Sequence, residues 1–190
     1  MTDDNALRPV RRLSQPFMIL LTIALGLVVL VKGAEILVIL FFQGGDAWHA
    51  AVSSSEGGIG FSIWSKGQPP GVVLDSLSFG QRSALALLAA LCAAGSGLAL
   101  FHLRQLFALY SKGVVFDRAN VSHIKWFGLW LAGSRIMINV ADRLFPVITG
   151  EPSHGFANAA MGVVYGAMTY VIARVMELGR QADQERREFI

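Results

Sequence analysis

Charge is scarce in this chain: 15% of its 190 residues are Asp, Glu, Lys or Arg, against about 25% in an average soluble domain. With 54% hydrophobic residues and a positive mean hydropathy of 0.53, such a chain falls in the membrane class. Net charge is only +3, which leaves no broad basic footprint for direct binding of nucleic acid. Cysteine is nearly absent. Cys92 stands alone in the run LLAALCAAGSG, so an intramolecular disulfide is excluded, and its apolar surroundings read as those of a buried small hydrophobe, not a reactive thiol. A phosphate-cradling glycine loop, a nucleophile elbow and a metal-spaced His cluster are missing too. No catalytic residue, cofactor or metal is therefore expected, and the chain is not expected to be an enzyme.

What the chain does have is long apolar runs. A bilayer core about 30 Å thick needs roughly 20 apolar residues in a helix, because backbone polar groups left unpaired in lipid are too costly. Four segments meet that demand: 17–42, 84–107, 124–140 and 156–173. The first follows Arg8, Arg11 and Arg12 as a secretory signal would, but apolar character resumes after Glu35 as ILVILFF and no small-residue cleavage site follows. It reads as a retained anchor.

Orientation follows from Lys and Arg in the connections, which stay largely cytoplasmic. The N-terminal segment, the connection between spans two and three (Arg104, Lys112, Arg118, Lys125) and the tail (Arg174, Arg180, Arg186, Arg187) hold eleven, against Lys66, Arg82 and Arg143 on the other side. The expected fold is an all-α, four-helix transmembrane bundle forming one membrane domain over 1–190. Both termini are cytoplasmic, with an extracytoplasmic loop at 43–83, a cytoplasmic hairpin connection at 108–123 and a charged helical tail at 174–190. The loop, rich in Gly and Ser, is expected to hold at most short structure. Its aromatic residues Trp48, Phe61, Trp64 and Phe79 suit the membrane interface. Ala93 with Gly97, and Gly162 with Gly166, have the four-residue spacing that lets helices approach closely in lipid.

The connection from Leu103 to Gly128 is the most patterned stretch. Leu103, Leu106, Phe107 and Tyr110 extend the helical stripe. Lys112 suits the negative end of the helix, Gly113 a left-handed C-cap and Asp117 the N-cap of the next helix. Asn120 takes the third position of a weak capping box. Val114, Val115 and Phe116 bridge the two helices, and Ile124, Phe127 and Leu131 resume the stripe. Beyond this structural role, Lys112, Arg118, His123 and Lys125 offer a basic surface to a protein partner or anionic lipid. His102 and His123 come near each other across the turn, yet without a carboxylate or thiol they make a poor metal site.

The residues Leu103-Arg104, Leu106-Phe107, Tyr110, Gly113, Phe116, Asn120 and Gly128 resemble the signature of the small bacterial membrane proteins catalogued as domain of unknown function 2975. Leu77-Ser78-Phe79-Gly80-Gln81-Arg82 and the tail MELGRQADQERREFI are similar as well, so the resemblance covers 74–190. It implies a four-helix integral protein of the bacterial inner membrane, multi-pass, without assigned activity, partnered by a small helix-turn-helix regulator. The tail departs from the pattern, since Gly179 is expected to interrupt its helix and Arg186-Arg187 dilute its acidic run. Tyr110, Lys112, Phe116, Arg118 and Asn120 are the candidate partner-binding residues.

A second set sits within the spans, where ionisable residues are functional candidates by default. Lys32 and Glu35 lie one turn apart, while Arg135, Asn139 and Asp142 share one face. Arg135 is expected to pair with Glu35 or Asp142, with Lys32 taking the other carboxylate, fixing helix 1 against helix 3. Asn158, Gly162, Tyr165 and Thr169 form a mild polar stripe on helix 4, and Glu177 is spaced to meet Arg180. The leading expectation is a regulatory or binding membrane protein. The alternative is a small transporter or channel subunit, built as a homo-oligomer around the Arg135/Glu35 cluster.

Overall fold

The computed structural model describes residues 4–43, 49–55, 58–64, 71–113, 117–151 and 159–188. Among these, four long helices account for most of the chain: α1 (Asp4–Phe41), α2 (Phe79–Ser111), α3 (Arg118–Thr149) and α4 (Ala159–Glu188). Three are long and apolar enough to cross a membrane, over Arg12–Phe41, Phe79–Ser111 and Ala160–Gly179. Much of their large apolar surface faces outward: Ile19, Leu20, Ile23 and Leu30 on α1 and Val171 and Val175 on α4 are all exposed. Water would penalise such a surface at about 25 cal/mol per Å²; lipid does not. The fourth expected span, α3, has the length but not the composition, because Lys125, Arg135, Asn139, Asp142 and Arg143 interrupt its apolar residues.

The main helix packings are α1 on α2, α2 on α3 and α3 on α4, so the helices form a row with α2 and α3 in the middle. Glycine sets two of the approaches. A Cβ on Gly95 would lie 3.2 Å from Ser134 of α3, and one on Gly166 of α4 would lie 2.7 Å from both the Gly128 carbonyl and the Ala132 Cβ of α3. The expected contact role thus holds for Gly162 and Gly166, whereas Ala93 and Gly97 line open space between α1 and α2. Those two face a groove of about 470 Å³ beside Gly33 of α1, and Gly97 has open space where a Cβ would go. The close partner on α2 is Gly95, on a different face.

Segment 43–83 holds far more than short structure. β1 (His49–Ser55) and β2 (Gly58–Trp64) pair antiparallel with Ser55 opposite Gly58, and β3 (Val72–Val73) adds to the free edge of β1. A 3₁₀ turn at Leu74–Ser76 leads into α2. Ala50, Val52 and Ile59 are almost completely buried, joining Ile39, Leu85, Ala89, Cys92, Ile138, Ala141 and Phe145 in the main core. The hairpin is therefore no surface loop: it is a wedge between α1, α2 and α3. Seven extended residues reach about 23 Å, and Cys92, which packs against Gly58 at the hairpin's inner end, lies thirteen residues, about 20 Å, below the start of α2. Measured from residue 84, where the apolar run starts, that is still about 12 Å deep. Non-helical backbone within a membrane would require enclosure by protein, and the surrounding helices provide it.

The sheet end of the bundle is clasped by the stretch LSFGQR. Ser78 and Gln81 form a reciprocal capping box at the start of α2. The Gln81 Nε2 then donates to the Ile148 carbonyl at 2.7 Å, and Arg82 Nη1 donates to the Phe42 carbonyl at 2.8 Å while Nη2 meets Asp75 at 3.4 Å. One short phrase thus ties the last turns of α1 and α3 to the first turn of α2. Of the four aromatic residues expected at the interface, Phe79 is exposed and Phe61 half-buried; the Trp48 and Trp64 side chains lie outside the described residues.

Candidate functional site

The expected intramembrane charge cluster is divided. Lys32 Nζ and Glu35 Oε2 form an ion pair at 2.6 Å on α1, with the Glu35 carboxylate buried beneath the backbone of Gly60 in β2. On α3, Asp142 is 5% exposed and its Oδ1 accepts a hydrogen bond from the hydroxyl of Ser54 in β1. Its Oδ2 is buried without a hydrogen-bond partner among the described residues. Arg135 reaches neither carboxylate. Its stem runs across Gly162 of α4, where a Cβ would lie 2.1 Å from Arg135 Cγ, and Asn139 Nδ2 donates to the Arg135 carbonyl at 2.9 Å. The hairpin wedge occupies the space between α1 and α3, so each carboxylate takes the nearest partner, one on its own helix and one on the hairpin.

At the other end of the bundle the turn chemistry is as expected. Gly113 has φ +79, the left-handed conformation a helix C-cap requires, and Asp117 caps α3 by accepting from the Arg118 backbone N–H at 2.6 Å. Val114, Val115 and Phe116 lie outside the described residues. The candidate partner contacts separate by burial. Lys112 and Arg118 are exposed. Asn120 is 0% exposed, and Tyr110, half-buried, packs on the smaller core of Leu106, Val121, Ile124 and Ala173.

His102 and His123 do meet, Nδ1 to Nδ1 at 3.2 Å, with Trp126 stacked on His102. A hydrogen bond between two ring nitrogens requires one to carry a proton and the other to lack it. Burial holds the His123 imidazole below its ordinary range, which favours the neutral form that accepts. Among the described residues no third metal-binding side chain joins them.

The α4 tail holds a second correction. Gly179 does not interrupt it: α4 runs unbroken to Glu188. Glycine costs a helix about 1 kcal/mol relative to alanine, and the strong helix formers on either side of Gly179 outweigh that. Glu177 joins Lys125 of α3 at 2.9 Å and Arg174 at 2.8 Å; the side chain of Arg180, its expected neighbour, lies outside the described residues. Beside this network opens a pocket of about 370 Å³ lined by Arg118, Val121, Ser122, Lys125, Glu177 and Gln181. On the helix 4 stripe, Thr169 packs on Gly128 while Tyr165 is exposed; Asn158 lies outside the described residues.

Two features went unread in the sequence. Ser78-x-x-Gln81 is a capping-box signature and was open to detection. The Ser54–Asp142 bond joins residues 88 positions apart, and no local pattern signals it. No family model, curated protein or solved structure matches the chain.

Proposed function

We propose that the chain is a multi-pass protein of the bacterial inner membrane, with α3 as a fourth span and both termini cytoplasmic, and that it works by binding a partner instead of by catalysis. On this reading the 108–123 connection and the α4 tail form one cytoplasmic surface. The observation that carries it is the bridge from Lys125 to Glu177 and Arg174, which fastens the charged extension of α4 to the first turns of α3. A tail held in this way presents Lys112 and Arg118 beside a fixed helix. The resemblance to domain of unknown function 2975 supports the same reading and points to a small helix-turn-helix regulator as the partner.

Cross-linking and co-purification from native membranes test this. Recovery of a small DNA-binding protein, lost when Lys112 and Arg118 are both changed to Ala, is the expected result. Recovery of only the chain itself, as an oligomer that conducts ions in liposomes, overturns the reading in favour of a transporter or channel subunit.

A further inference from the structure

We propose that the pocket between the first turns of α3 and the end of α4 binds the headgroup of an anionic glycerophospholipid. Its α3 wall is a regular stripe, Arg118, Val121, Ser122 and Lys125 at i, i+3, i+4 and i+7, facing Glu177 and Gln181 of α4. About 370 Å³ is at the lower end of ligand-sized pockets, which suits a phosphate with a small polar substituent.

The charge balance selects an anion. Lys125 and Arg174 both engage Glu177, and the Asp117 carboxylate is turned onto the α3 backbone. The Arg118 guanidinium has no side-chain partner among the described residues and stands exposed at the rim. It presents five N–H donors in a planar fork, the geometry that grips phosphate oxygens bidentately. Lys125 retains N–H donors beyond the one given to Glu177, and the Ser122 hydroxyl is exposed beside them.

The surroundings select a lipid over a soluble phosphate. From Ser122 the same face of α3 continues through Trp126 and Leu129 at i+4 and i+7, both exposed, and Val175 and Leu178 are exposed on α4. The pocket therefore opens where outward-facing apolar surface gives way to charge, the level at which lipid phosphates lie. An acyl chain leaving the pocket has an apolar track to follow, and Trp126 sits where interfacial aromatic rings are favoured. Basic recesses between membrane helices are suited to such headgroups.

The test is thermal unfolding of the purified full-length protein in nonionic detergent, titrated with phosphatidylglycerol or with phosphatidylcholine. Purified protein contains no partner, so this outcome is separate from that of the partner reading. Phosphatidylglycerol is expected to raise the midpoint saturably and phosphatidylcholine to leave it unchanged. Arg118→Gln, at an exposed position, is expected to weaken the apparent affinity about fivefold, equivalent to one phosphate-facing charge. Ser122→Ala produces a smaller loss, and Arg143→Gln, exposed near the opposite end of α3, none. The proposal is overturned if phosphatidylcholine acts equally or if Arg118→Gln matches the unaltered protein. It is equally overturned if Arg143→Gln loses as much, or if inorganic phosphate or glycerol phosphate reproduces the shift without acyl chains.

Discussion

Gly58, the first residue of β2, lies against Cys92 of α2: a Cβ placed on it would come 3.5 Å from Cys92 Cβ and 3.7 Å from Sγ. With φ +100, Gly58 also holds a conformation that side chains resist. These two residues bring the start of β2 against α2. Gly58→Val is expected to cost at least the 1–2 kcal/mol of left-handed strain, lowering the midpoint by roughly 2–8 °C for a chain of this size. Alkylation of Cys92 by a membrane-permeable maleimide checks the position directly. It should be slow in the unaltered protein and faster in Gly58→Val; equal rates would show that the hairpin does not cover the thiol.

The α3–α4 seam predicts a contrast between two glycines. Gly166→Leu places side-chain atoms where Gly128 and Ala132 already lie, so folded yield in detergent should drop severely. Gly97→Ala fills open space on the α1–α2 groove and should leave yield and midpoint within error. Equal effects would mean that the seam is packed differently.

The Ser54–Asp142 bond makes a double-mutant prediction. Ser54→Ala leaves a buried carboxylate with neither oxygen bonded, a loss of about 1–3 kcal/mol. Asp142→Leu removes the charge altogether, and adding Ser54→Ala to it should cost much less than Ser54→Ala alone. Additive losses in thermal unfolding would place the two side chains out of contact.

Acid should weaken the α2–α3 packing. Because burial holds His123 below its ordinary value near 6.5, the unfolded chain binds more protons as pH falls through that value. Stability is therefore full above about pH 6.5 and declines below it. Protonating both rings also removes the acceptor from the His102–His123 bond. Melting midpoints from pH 8 to pH 5 should show this decline, and His123→Gln should reduce it. An unchanged slope in that variant would assign the acid sensitivity elsewhere.

Some of the architecture was written locally. Apolar runs of bilayer length marked α1, α2 and α4, since hydropathy sums over neighbouring residues and needs no knowledge of partners. Gly113 and Asp117 announced the turn between α2 and α3 because caps are satisfied within a few residues. The small residues Gly162 and Gly166 were legible as contact positions for the same reason.

Local reading failed where space, not pattern, made the decision. The Gly- and Ser-rich stretch after α1 reads as a loop. Only the gap between α1, α2 and α3 turns it into a buried wedge, because strands with small residues fit where a third helix of full width does not. That wedge separates α1 from α3, so Glu35 keeps Lys32, Asp142 takes Ser54 and Arg135 turns to Gly162. Burial likewise withdrew Asn120 from the surface while leaving Arg118 exposed. The sequence by itself determined the spans and their caps, through interactions within a turn or two. The tertiary structure decided which charges meet and which polar groups remain accessible, because both depend on residues brought together from distant parts of the chain.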